Sequence, residues 1–99
     1  MRKFLFEITY SINPKMRDEY LGVINQMKEI INAREGIQYS VFESDKSKNN
    51  FTEIFLCDSE EVYDKLEEEE HERLNPLNER IVMEFAIQKK TFYTTKHEV

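Results

Sequence analysis

Glycine is almost missing from this chain. Gly22 and Gly36 are the only two among 99 residues, too few to build the glycine-rich loop that cradles a nucleotide's phosphates. Cysteine is rarer still. Cys57 stands alone, which rules out an internal disulfide, and it shares no ligand spacing with His71 and His97, the only histidines, so no metal site is expected. Positive charge is also scarce: 14 basic residues face 20 acidic ones, for a formal charge of −6. A surface of that sign repels a phosphate backbone, which argues against nucleic acid as a partner. No apolar run approaches the roughly 20 residues that span a bilayer, and the N-terminus has no charged region leading into an apolar signal core. The expectation is a cytoplasmic protein with no membrane partner, and no sequence pattern points to a cofactor.

What the chain does have is alternation. Phe4, Phe6, Ile8, Tyr10 and Ile12 occupy every second position, with Leu5, Glu7, Thr9 and Ser11 between them, the period of a strand covered on one face. Asn13-Pro14 then supplies a cap and a first helical residue. Met16, Tyr20, Val23, Ile24, Met27, Ile30 and Ile31 recur at steps of three and four, predicting an amphipathic helix that Arg34 and Gly36 close. Residues 37–43 alternate again, 44–50 form a polar hairpin loop, and 51–57 make a third strand. In that strand Phe51, Glu53, Phe55 and Cys57 share one side, and Thr52, Ile54 and Leu56 the other.

Asp58 and Ser59 can each cap a second helix, Asp58 with Glu61 having capping-box spacing, and Val62, Leu66 and Leu74 mark its apolar face. Asn75-Pro76 should restart or kink it, because proline disfavours a helical residue before itself. A short segment with Leu77, Ile81 and Phe85 follows, then a fourth strand over 86–94 and a frayed end from 96 to 99. The order strand, helix, strand, strand, helix, strand predicts a single α+β domain over 1–99 of the ferredoxin-like βαββαβ type. It has a four-stranded antiparallel sheet with two helices on one face. With Phe6, Ile8, Ile54 and Leu56 turned to the helices, Leu5, Glu7, Thr9, Phe51, Glu53 and Phe55 would face away. Such a face is too apolar to stay wet, so a homodimer packed sheet against sheet is expected.

The opening strand running into Asn13-Pro14, and Phe51-Thr52-Glu53-Ile54-Phe55 followed by the acidic helix start Asp58-Ser59-Glu60-Glu61-Val62-Tyr63, give nearly the whole chain a family likeness. It resembles the dimeric α/β-barrel superfamily, and within it the small antibiotic-biosynthesis-monooxygenase-like domains. The resemblance implies a cofactor-independent oxygenase acting on a small aromatic or apolar molecule. The alternative is a non-catalytic homodimeric ligand-binding or assembly domain. Haem-degrading members of the family use a tryptophan beside a histidine. Here Lys65 stands where a first histidine would fall, His71 lies near the second, and tryptophan is absent, so haem is not implied.

Five residues are candidates for a site. Glu7 and Glu53, expected on one face of neighbouring strands, could shift each other's pKa and act as acid and base; the structural alternative pairs them with Lys89, Lys90 or basic groups of a partner subunit. His71, beside the acidic run 67–70, is a candidate proton shuttle or else a solvated surface residue. Tyr39, on an apolar stripe, and Glu70, where the stripe of Val62 and Leu66 runs on toward Leu74, are the candidate ligand contacts. The charge run around Glu70 reads equally as a solvated face.

Overall fold

The alternating opening segment forms β1 (Phe4–Ile12) in the centre of one antiparallel sheet of order β2-β3-β1-β4. The computed structural model describes residues 2–99, side chains of residues 88–90 excepted. Asn13 caps a 3-10 turn (Pro14–Met16) by accepting the Lys15 N–H, and the turn leads into α1 (Arg17–Asn32). Tyr20, Val23, Ile24, Met27 and Ile31 of that helix are buried, as their spacing requires. The chain reverses at Gly36, whose φ of +81° suits a residue without Cβ. It enters β2 (Ile37–Glu43) and returns through β3 (Asn50–Cys57).

Two helices, α2 (Glu60–Glu69) and α3 (His71–Arg80), follow in place of one kinked at proline. The N-cap is Ser59, which accepts the Val62 N–H, rather than Asp58. The break falls at Glu70 and not at Asn75-Pro76. Glu70 is held between the guanidinium groups of Arg34 and Arg73 while its carbonyl accepts the N–H groups of Arg73 and Leu74, so it ends one helix and starts the next. Pro76 is accommodated inside α3. A π turn (Ile81–Phe85) buries Ile81 and Phe85, and β4 (Ala86–His97) pairs with β1 over 91–97 and, past an irregularity in register, at Ala86. The expected fraying begins later than position 96, since Lys96 and His97 still pair with Leu5 and Phe4.

The register corrects the orientation expected for β3. Phe6 stands opposite Phe55, Ile8 opposite Glu53 and Tyr10 opposite Phe51, and directly opposed residues of an antiparallel pair share a face. Phe51, Glu53 and Phe55 therefore lie under the helices. Glu7, opposite Ile54, lies on the uncovered face, so the two carboxylates are on opposite sides of the sheet. Burial of Phe51, Phe55 and Cys57 outweighs the cost of taking one carboxyl group inside with them. The uncovered face carries rows across the strands: Phe42-Thr52-Thr9-Phe92, then Ser40-Ile54-Glu7-Thr94, then Gln38-Leu56-Leu5-Lys96.

Candidate functional site

Glu53 is 2% exposed at the middle of a central strand. A carboxylate there loses its water and must find other donors. Two tyrosines provide them: Tyr39 donates its hydroxyl to Oε1 at 2.7 Å and Tyr10 to Oε2 at 2.8 Å. Because Tyr10 has one proton and spends it on Glu53, it accepts from Tyr20, whose hydroxyl lies 2.7 Å away. The three rings come from β1, α1 and β2, so the carboxyl group is tied directly to two strands and, through Tyr10, to α1. Among the described residues no buried side-chain nitrogen or oxygen lacks a partner.

All the partners of Glu53 are neutral. Desolvation raises its pKa above the ordinary carboxylate value of 4.5, and the two tyrosine hydrogen bonds oppose that rise without cancelling it. The tyrosines are pushed upward as well, by burial first and then by the negative charge they face. Glu53 is the acid of this network, its pKa raised from the ordinary carboxylate value, and the tyrosines, raised further from neutral pH by burial, are its hydrogen-bond donors.

Glu53 lines a cleft of about 220 Å³ between the sheet and the α2–α3 side of the molecule. Aromatic rings are the largest group in its wall: Phe6 stacks on Tyr93 with centroids 6.0 Å apart, and Tyr63 stands edge-on to Phe6 at 5.2 Å and to Phe55 at 5.7 Å. Polar groups share the lining with them. Asn78 and Thr91 contribute to the lining, as does Glu67, whose Oε1 accepts the Tyr63 hydroxyl at 2.8 Å. An apolar hollow with a small number of placed polar groups is the usual form of a small-molecule site. At this volume it suits a ligand below the roughly 300–1,000 Å³ of drug-sized sites, and a cavity of about 150 Å³ already accepts benzene. One aromatic ring fits.

The five sequence candidates separate. Glu53 lines the cleft and Tyr39 holds it, reaching the site through its hydroxyl. Glu7 is across the sheet, where Lys96 lies 3.2 Å and Thr94 3.3 Å from its Oε1, so it cannot be the acid or base partner of Glu53. Its proposed pairing with Lys89 or Lys90 lies outside the described residues. Glu70 is occupied by Arg34 and Arg73 at the helix junction and is not part of the cleft. His71 is exposed in the first turn of α3, away from the cleft lining. Sequence reasoning missed Tyr10, Tyr63 and Glu67. Tyr63 read as core and Glu67 as part of a charge run, yet their i,i+4 spacing puts them on one helix face.

Cys57 is a structural residue. Burial, with the nearby Asp58 carboxylate, pushes its thiol up to about 11, so it stays protonated at neutral pH. No helix among the described residues is long and apolar enough to cross a membrane, and no cluster of metal-binding side chains occurs among them.

Neither a protein-family model nor a curated protein sequence matches the chain. Solved structures do. A conserved protein from Methanosarcina mazei Go1 is 17% identical with a TM-score of 0.81, over 100% of this chain and 95% of that one. A putative antibiotic biosynthesis monooxygenase from Nitrosomonas europaea is 7% identical with a TM-score of 0.83, over 98% and 90% of the two chains. SnoaB, a cofactor-independent oxygenase from Streptomyces nogalater, is 7% identical with a TM-score of 0.72, over 95% and 90%. At these identities the likeness is one of fold. The chain has the ferredoxin-like α+β fold of these antibiotic-biosynthesis-monooxygenase structures, the fold that the sequence resemblance implied.

Proposed function

We propose that this antibiotic-biosynthesis-monooxygenase-like domain is a cofactor-independent oxygenase of small aromatic hydroxy compounds, with Glu53 as the base. The observation that carries the reading is a carboxyl group, 2% exposed and partnered only by neutral hydroxyls, opening onto a cleft walled by aromatic rings. A desolvated carboxylate is a stronger proton acceptor than one in water. It takes the proton of a ring hydroxyl, and the phenolate left behind gives up electrons to dioxygen far more readily than the neutral phenol. Conversion of a phenol and dioxygen to a quinone and water balances without an added reductant. Tyr10 and Tyr39 hold the base in place. The likeness of fold to an oxygenase described as cofactor-independent supports the same reading.

The working unit in this proposal is a homodimer joined through the uncovered sheet face. Phe42 and Phe92 there are 58% and 65% exposed, and Ile54, Leu5 and Leu56 lie in the two rows that follow theirs on the same face. Oxygen uptake with one-ring phenols and hydroquinones tests the activity. Wild type should consume oxygen without added flavin or metal, and Glu53→Gln should lower kcat/KM about 10²–10⁴-fold, the usual worth of a positioned base. Equal uptake by the two proteins would overturn the assignment.

A further inference from the structure

The cleft has carboxyl groups at two depths. Glu53 lies at its buried end, and Glu67, an exposed residue of α2, at its rim. Tyr63 donates to one oxygen of Glu67, and among the described residues the other oxygen has no hydrogen bond and the carboxylate no ion pair. No lysine, arginine or histidine lines the cleft among the described residues. Between the two carboxylates stand the faces and edges of Phe6, Tyr63 and Tyr93. Aromatic faces attract cations through the ring quadrupole, and most strongly where water is partly excluded. A ligand bearing a carboxylate or phosphate would meet repulsion at the rim and no cation among the described lining residues.

We propose that the cleft selects a one-ring phenol that carries a protonated amine, with the ring among Phe6, Tyr63 and Tyr93, the hydroxyl toward Glu53 and the ammonium on Glu67. The proposal rests on the cleft being the ligand site of the reading above and adds its substrate class. Glu67 is the specificity residue: its tie to Tyr63 fixes one oxygen and leaves the other for the cation. The formal charge of −6 favours encounter with such a ligand over an anionic one.

The test compares three probes that share a ring and differ in their tails: tyramine, para-ethylphenol and para-hydroxyphenylpropionate. Binding is followed by NMR shifts of Tyr63 and Glu53. Tyramine should bind about tenfold more tightly than the neutral phenol, the sum of one rim ion pair and one cation–π contact, and the acid should bind weakest. Glu67→Gln should cut the preference for tyramine over para-ethylphenol from about tenfold to the roughly two- to fivefold that the cation–π contact alone supplies. The proposal is overturned if the acid binds as well as tyramine, if the amine preference is undiminished in Glu67→Gln, or if none of the three shifts the cleft resonances. Because binding is read without turnover, the predicted order with no oxygen uptake by any probe would uphold this inference and defeat the oxygenase reading instead.

Discussion

Replacing Glu53 with glutamine keeps the shape of the side chain and removes its charge. In the wild-type protein the folded-state pKa of this group is raised, so between the unfolded value near 4.5 and the folded value the native chain binds a proton that the unfolded chain has lost. Stability is fully present below that window and falls as pH climbs through it. For one proton the slope is about 1.4 kcal/mol per pH unit. In a domain of this size each unit then corresponds to roughly 5–11 °C in Tm. Glutamine has no such slope, so Glu53→Gln should match wild type near pH 4 and become progressively more stable than it as pH rises. Contributions of carboxylates with lowered pKa, such as Glu43 and Glu70, cancel in the difference. Thermal melts of both proteins from pH 4 to 8, monitored by circular dichroism, give that difference directly. A gap that stays constant with pH would refute the claim that Glu53 is a desolvated acid.

Other perturbations act on the supports of the site. Tyr39→Phe removes a hydrogen bond to the carboxylate and should cost about 1.5–3 kcal/mol at neutral pH in urea unfolding; it should also move the rising limb of the pH–rate profile upward, since one of the groups holding the Glu53 pKa down is gone. Phe55→Glu, within the core, should unfold the protein at a cost of at least about 3–5 kcal/mol. Phe42→Glu, on the uncovered face, should leave the circular dichroism intact and give a monomer in sedimentation; a dimer that survives it would defeat the proposed interface. Arg17 grips both oxygens of Glu43 at 2.7 and 2.8 Å and pulls its pKa down to about 2. The stabilisation this brings is present above about pH 4.5 and lost as pH falls toward 2, so the stability deficit of Glu43→Gln at pH 7 should shrink at pH 3.

β1, β2 and the first helix are legible because each has a periodic apolar stripe and clear ends. β2 spans the residues its alternation marks, and α1 buries the stripe that its spacing predicts. β3 was read with the right alternation and the wrong face. Ile54 and Leu56 compete with Phe51, Phe55 and Cys57 for the core, and Glu53 in the aromatic phase argues for the outside, since carboxylates are seldom buried. What placed Glu53 inside was cross-strand pairing to Phe6, Ile8 and Tyr10, together with hydroxyls delivered by Tyr10 and Tyr39 from strands distant in sequence. No local period reports such partners. The break at Glu70 has the same character, because Arg34 reaches it from 36 residues away. For the cleft, Tyr39 and Glu53 were within reach of a residue-by-residue reading, but Tyr63 and Glu67 looked like one core ring and one charge among many.

The most direct test of the account is the titration of Glu53 itself, by carbon-13 NMR of the glutamate side-chain carboxyls with the resonance assigned through Glu53→Gln, in the free protein and with para-ethylphenol added. The account predicts a pKa above the ordinary carboxylate range in the free protein and a change in that resonance when the phenol binds. A midpoint near 4.5 that does not respond to the phenol would contradict it.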